Sequence, residues 1–312
     1  SVEVSSNGRD FTTSGVQFEL VRVVLSDVAP WTGPELGGTL VTLTGAGVGA
    51  VSSLELGCRF GEAEVVSASV HGGSEARCVS PSSGLGGWTS VELLSDGVTL
   101  RSGGSFLYYS RVWVSAVAPL LGPVEGGTRL TVLGTPFREA ATLRCRFDER
   151  SKTVTARHVG AGQLECATPV QSGAGSRAVE VSLNAQQFST SGVGFTYVST
   201  VSLSSVWPSR GASEGGSAVT VHGSGLTALS EQLGYLQCRF NGTVVSASGA
   251  TGTSAVCNST SATGIASVEV SSNGRDFTTS GVQFELVRVV LSDVAPWTGP
   301  ELGGTLVTLT GA

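Results

Sequence analysis

The sequence runs to 312 residues, enough for two or three ordinary domains. Charged residues make up only 13%, glycine contributes 44 and methionine none, so Ser, Thr, Gly and small apolar groups must cover a surface that usually draws on about 25% charge. The net charge of −6 is spread thinly, with Lys152 as the one lysine and no basic stripe, which excludes nucleic-acid binding by counterion displacement.

No run of 18 or more apolar residues is present, so no membrane span is expected in this stretch. Ser1 opens directly in strand-like sequence, and a secretion signal is expected upstream. Residues 1–46 recur unchanged as residues 267–312, an offset of 266. Inside that period a Pro–Gly–Gly signature appears three times: APWTGPELGG from Ala29, APLLGPVEGG from Ala118 and WPSRGASEGG from Trp207. Pro30, Pro119, Pro208 and Pro296 follow one another at 89, 89 and 88 residues, and self-similarity at a fixed period marks a repeat architecture. The repeats divide the chain into the closing strands of a truncated domain (1–20), three complete domains (21–110, 111–199 and 200–286) and the opening strands of another (287–312). The undrifted 46-residue copy points to a recently duplicated unit or to one consensus unit written along a periodic object.

Within each repeat the elements are all strands. After the double glycine, TLVTLTG (39–45), TRLTVLG (128–134) and SAVTVHG (217–223) alternate, with Val41 and Leu43, Leu130 and Val132, Val219 and Val221 on one face. Thr42, Thr131 and Thr220 take the opposite face. A Cys-Arg-Phe strand follows, at Cys58, Cys145 and Cys238. Asn241-Gly242 is a hairpin signal behind the last of these. A second cysteine arrives at Cys78, Cys166 and Cys257, then an alternating strand from Val91, Val179 and Val268. The repeat closes on an aromatic strand holding Phe106 and Tyr108, Phe195 and Tyr197, then Phe284. About seven short strands in about 89 residues form a sandwich pattern. Connections of two residues or fewer, as at Tyr109-Ser110-Arg111-Val112, predict a stiff, rod-like array.

This order resembles the IPT/TIG domain: Pro-x-x-Gly-x-x-x-Gly-Gly, an alternating strand, Cys-x-Phe, a second Cys followed by Thr-Pro or Ser-Pro, and a Phe-x-Tyr ending. Cys166-Ala167-Thr168-Pro169 and Cys78-Val79-Ser80-Pro81 carry the ending, whereas Cys257-Asn258-Ser259-Thr260 lacks the proline. The resemblance implies an all-β chain of tandem immunoglobulin-like sandwiches. It leaves function open, because the family occurs in plexin-type receptors, in transcription factors and in repetitive surface proteins.

Six cysteines fall as one pair per repeat with no CxxC spacing and no histidine in step, which predicts disulfides Cys58–Cys78, Cys145–Cys166 and Cys238–Cys257, no metal site, and an extracellular or cell-surface setting. Asn241-Gly242-Thr243 and Asn258-Ser259-Thr260 are N-glycosylation sequons. No catalytic residue or cofactor site is expected. Gly211-Ala212-Ser213-Glu214-Gly215 has the spacing of a nucleophile elbow, but it aligns with the turn that its sister repeats write as GPELG and GPVEG. Gly45-Ala46-Gly47-Val48-Gly49 lacks the context of a phosphate loop. His71, His158 and His222 are non-equivalent surface or loop residues, and Asp96-Gly97 and Asn7-Gly8 read as hairpin turns. Trp88 and Trp113 are expected to fill cores. Trp31 and Trp207, beside the repeat prolines, and the outward Leu40 and Leu133 are expected to make contacts between repeats or between chains.

These readings favour a structural protein, an extracellular filament or surface appendage that polymerises with itself and carries N-linked and O-linked glycans. The alternative is the ectodomain stalk of a ligand-binding receptor or adhesin. A third possibility, a carbohydrate-binding accessory domain, lacks a non-repeat neighbour in the sequence.

Overall fold

The computed structural model describes residues 1–17, 20–52, 55–148 and 153–311; Lys152 lies outside them. The chain divides into two compact units, residues 1–113 with 136–144 and 181–189, and residues 114–135 with 145–180 and 190–312.

The first unit holds the first sandwich. Its strands are β1 (Val24–Ala29), β2 (Thr32–Pro34), β3 (Leu40–Ala46), β4 (Leu56–Phe60), β5 (Val66–His71), β6 (Glu75–Val79), β7 (Gly87–Ser95) and β8 (Val98–Tyr109). They pair in the order β1-β3-β6-β5-β4-β7-β8-β2. β5 changes partner along its length: Val66 and Ser67 face β4, and Ala68 to His71 face β6. That switch folds the ladder into two layers. Between them lie Val41, Leu43, Cys58, Val91, Leu93 and Phe106, none with measurable exposure. Phe60, Phe106 and Tyr108 meet edge-to-face, with ring centroids 5.0–6.5 Å apart.

The same order recurs twice further along the chain, in a second sandwich that contributes to both units and in a third within the second unit. β9 (Trp113–Ala118), β10 (Leu121–Pro123), β11 (Arg129–Thr135), β12 (Arg144–Phe147), β13 (Thr153–Gly160), β14 (Gln163–Ala167), β15 (Gly175–Ser182) and β16 (Gly194–Val198) make the second sheet system. β17 (Ser202–Trp207), β18 (Arg210–Ala212), β19 (Ala218–Leu226), β20 (Gln237–Phe240), β21 (Thr243–Ser248), β22 (Gly252–Asn258), β23 (Gly264–Ser271) and β24 (Gln283–Val287) make the third. A short helix, α1 (Ala228–Gln232), is capped by the Thr227 hydroxyl, which accepts from the Ser230 N–H. Each sandwich thus has eight strands where the pattern predicts about seven. The added one, β2 or its counterpart, is a three-residue edge strand running parallel to the aromatic closing strand.

The sequence markers fall at matching places. All four repeat prolines follow a cis peptide bond. Disulfides join Cys58 to Cys78, Cys145 to Cys166 and Cys238 to Cys257, with Cα atoms 6.3–6.4 Å apart. Each therefore ties the fourth strand of a sandwich to its sixth across the core. The arginine of Cys-Arg-Phe pairs across the ladder with the glutamate of the Val-Glu strand, as Arg59–Glu92, Arg146–Glu180 and Arg239–Glu269. The double glycine is needed for two different reasons. Gly37 has φ +76° and packs against the carbonyl of Pro81, where a Cβ would lie 2.6 Å away; Gly38 has φ +81° with open space beside it.

Two expectations about tryptophan fail. Trp88 is 65% exposed and Trp113 48%. In β7 the inward slots are Val91 and Leu93, and Trp88 falls on the other phase of the alternation. In β9 the buried residues are Val114 and Val117, and Trp113 lies next to Val114 on the outer face at the start of the strand.

The two identical 46-residue copies do not share a structure throughout. Residues 267–287 supply the end of β23 and all of β24, and Val268 and Val270 are buried. Their counterparts Val2 and Val4 are exposed and in no strand. Residues 24–46 build three strands of a sandwich. Residues 290–311 pair only as β25 (Leu291–Ala295) and β26 (Thr308–Gly311).

Candidate functional site

The double glycine is followed by Thr39, Thr128 or Ser217. Thr39 and Thr128 are completely buried, and a hydroxyl caps the backbone N–H of each of the three: Ser80 for Thr39, Thr168 for Thr128 and Ser259 for Ser217, all at 3.1 Å. The glycine of Pro-x-x-Gly makes room for this arrangement. A Cβ on Gly33 would overlap the Thr39 side chain and sit 2.7 Å from the Phe106 ring. The signature of the repeat therefore assembles one recessed hydroxyl at the end of each sandwich.

In the first unit that hydroxyl is met by a turn from residues 181–189. Asn184 is 2% exposed. Its Oδ1 accepts from the backbone N–H groups of Gln186 and Gln187 at 3.1 Å each. Its Nδ2 donates to Gln187 Oε1 (2.6 Å), Thr39 Oγ1 (3.2 Å) and the Thr32 carbonyl (3.3 Å). Thr39 Oγ1 in turn donates to Gln187 Oε1 at 2.9 Å, and Gln187 Nε2 donates to the Gly38 carbonyl. Gln186 satisfies both backbone groups of Leu40, at 2.9 Å each.

The second unit contains the same device with an acid in it. Asn273 Oδ1 accepts from the N–H groups of Arg275 (3.0 Å) and Asp276 (2.8 Å), and its Nδ2 donates to Asp276 Oδ2 at 2.7 Å and reaches Thr128 Oγ1 at 3.4 Å. Thr128 Oγ1 donates to the same Asp276 oxygen at 2.5 Å. Buried polar groups are thus matched in both joints, and such matching fixes one register, because any displacement strands several of them.

Sequence reasoning missed Asn184, Gln187, Asn273 and Asp276, although a signal was present. Asn-x-x-Gln-Phe at 184 and Asn-x-x-Asp-Phe at 273 lie 89 residues apart, the spacing of the prolines. At Asn7 the same Asn-x-x-Asp turn occurs, closed by Asn7 Oδ1 accepting from Arg9 and Asp10 N–H, so Asn7-Gly8 is not a two-residue hairpin turn. Asp96-Gly97 does link β7 to β8 directly, with φ +49° and +78°.

Trp31 stacks on Trp88 of its own sandwich, with centroids 5.7 Å apart and planes 13° from parallel, and Trp207 is 71% exposed. Leu40 is at a joint, held there by its backbone, and Leu133 on β11 pairs with Gln163 of β14. Hydrogen bonds between repeats within each unit run from the asparagine turns to Thr39, Leu40 and Thr128. Asn241 lies exposed in a turn with φ +45°, its Oδ1 accepting from the Ser267 N–H at 2.8 Å, and Asn258 ends β22, also exposed. His71 and His222 are exposed and His158 half-buried. Gly211-Ala212 belongs to β18, and the rest of that elbow-like stretch is a turn. Among the described residues no group of three or more His, Cys, Asp or Glu is arranged to hold a metal, and no helix is long and apolar enough to cross a membrane. Burial pushes the phenols of Tyr108 and Tyr197 up to about 12; Tyr108 donates its hydroxyl to the Pro81 carbonyl at 2.9 Å.

Three disulfide-tied sandwiches of one topology, joined by polar turns, define a tandem immunoglobulin-like chain. The model of the IPT/TIG domain matches residues 24–109, 113–197 and 202–286, and the chain belongs to the IPT/TIG domain family. It is 28% identical over 225 residues to plexin-A3 of Rattus norvegicus, across 66% of this chain and 11% of that protein. To plexin-A2 of Homo sapiens it is 30% identical over 161 residues, across 51% of this chain and 8% of the relative. The chain thus spans about a tenth of the length of these relatives. Among solved structures, the plexin A4 extracellular region resembles it with a TM-score of 0.46 at 19% identity, over 84% of this chain and 23% of that one. The disulfides, with these relatives, place the chain outside the cell or at its surface.

Proposed function

We propose that the chain is a non-catalytic spacer in the stalk of an extracellular receptor or adhesin, whose task is to hold successive domains in a set relation. The observation that carries this reading is the repeated joint, in which a buried asparagine turn closes on the recessed threonine of the preceding sandwich. A flexible linker would need no such matched groups. Similarity to plexins supports the receptor-type setting over the self-assembling filament expected from the sequence. The experiment is electron microscopy with mass measurement on purified chain. A stalk gives monomers of one length at every concentration, and fibres would overturn it.

One observation favours the second reading, a homopolymeric filament: the 46-residue identity between residues 1–46 and 267–312 supplies equivalent surfaces at a fixed interval. The same microscopy decides between the two. Glycans at Asn241 and Asn258 belong to either proposal, supported by the exposure of both side chains and the scarcity of charge. Intact glycopeptide masses from native material test them, and unmodified asparagine at both sites would reject them.

A further inference from the structure

One charged feature is not explained by the spacer role. On the outward face of the second sandwich, Arg157 grips Glu165 Oε2 with Nε (3.2 Å) and Nη2 (2.7 Å), while Nη1 of Arg129 lies 3.9 Å from the same oxygen. Arg275, on the docked Asn273 turn, is close enough to act electrostatically on the same carboxylate, and these arginines hold the Glu165 carboxyl below its usual range, the hydrogen bond from Arg157 contributing most. All four residues belong to the second unit. The carboxylate is recessed, with 19% of its side chain exposed, whereas Arg129 and Arg157 keep 73% and 65% of theirs in solvent. Three guanidiniums around one carboxylate leave two positive charges in excess, in a chain whose net charge is −6.

The cluster borders an open groove of about 510 Å³ between β11, β14 and β13, whose lining includes Arg129, Thr155, Arg157, Glu165 and Ala167. It is particular to this joint. The corresponding residues of the first sandwich are Leu40, Ser69 and Arg77, with Gln186 in place of Arg275; those of the third are Ala218, Ser248 and Val256. A structural requirement of the fold would recur in all three sandwiches, and this does not.

We propose that Arg129, Arg157 and Arg275 form a binding site for an acidic polysaccharide, with its sulfate or carboxylate groups on the guanidiniums and its sugar rings over Thr155 and Ala167. Guanidinium pairs with planar or tetrahedral oxyanions in bidentate geometry. A shallow groove with two excess charges suits a polymer that presents anions repeatedly better than a single free ion. Glu165 positions Arg157 and competes with the ligand. The extracellular setting supplies such polymers and excludes the abundant phosphates of the cytosol.

The test is titration calorimetry of the full chain at low salt with two probes, an octasaccharide of chondroitin sulfate and one of hyaluronan, which carries carboxylates alone. Binding of the first only assigns sulfate; comparable binding of both assigns carboxylate. In either case Arg129→Ser with Arg275→Ser, which leaves the Arg157–Glu165 pair intact, should weaken binding about tenfold. Glu165→Gln should tighten it, an effect that a purely structural role for the pair would not produce. Binding of neither probe, or an affinity unchanged by the double substitution in chain whose melting is unaltered, overturns the proposal.

Discussion

Replacing Asn273 with alanine removes the acceptor of two backbone N–H groups, of Arg275 and Asp276, and the Nδ2 donor to Asp276. Arg275 is exposed and its N–H finds water, but Asp276 is half-buried against Thr128, which is fully enclosed. A stranded buried polar group costs about 1–3 kcal/mol, so the expected loss is about 2 kcal/mol, or roughly 10 °C in the unfolding transition of a domain this size. Asn7 provides an internal control. It closes the same turn with the same bonds, at 2.9 Å to Arg9 and Asp10, but stands exposed and meets no threonine. Asn7→Ala should therefore shift no transition by more than about 2 °C, within the usual range for surface changes. Calorimetry of both variants separates turn closure from docking. Thr128→Val combined with Asn273→Ala should reveal a coupling of about 0.5–1.5 kcal/mol. Equal transitions for Asn7→Ala and Asn273→Ala, or additive effects at Thr128 and Asn273, would refute the joint as a stabilising lock.

Three further outcomes are expected. Replacing Cys145 and Cys166 with serine opens a loop with a sequence separation of 21 and should cost about 3 kcal/mol, seen as a lower melting transition; an unchanged melt would contradict it. Tyr108 and Tyr197 ionise near 12 when folded and near 10 when unfolded, so the contribution of each is fully present below pH 10 and is lost between pH 10 and 12, on the order of 2–3 kcal/mol apiece; Tyr109, raised further by burial, adds to the loss in the first sandwich. The third carries Leu286 at this position and should keep its stability there, as phenolate absorbance and calorimetry read together will show. Gly37→Ala should destabilise more than Gly38→Ala, because only the first adds a backbone overlap to the cost of positive φ; equal denaturation midpoints would count against that packing.

The repeat, the strand alternation and the cysteine pairing were legible because each is a local pattern repeated three times. Val41 and Leu43 point inward in any register that buries one face, and Cys58 and Cys78 recur in step with Cys145 and Cys166. The joints were harder to read because Asn184 and Thr39 lie 145 residues apart, so no local pattern links them. The tryptophan expectation failed for a physical reason. It weighted side-chain size over position in the strand: Trp88 is out of phase with the buried Val91 and Leu93, and Trp113 is the outward neighbour of the buried Val114. The arginine of Cys-Arg-Phe marks a motif in the sequence, yet its pairing with Glu92, Glu180 or Glu269 became visible only once two strands were side by side.

The duplicated 46 residues separate what the chain decides locally from what it decides by packing. Val268 and Val270 pair with Phe240 and Cys238 of β20 and are buried, whereas Val2 and Val4 are exposed and in no strand. Nevertheless the turn between them survives intact. Val2 N–H donates to the Val16 carbonyl at 2.8 Å as Val268 does to Val282, and the Asn7 side chain closes on Arg9 and Asp10 as Asn273 closes on Arg275 and Asp276. The asparagine turn is thus complete before it touches a threonine. The side chains that reach across are Asn184, Gln186 and Gln187 toward Thr39 and Leu40, and Asn273 and Asp276 toward Thr128.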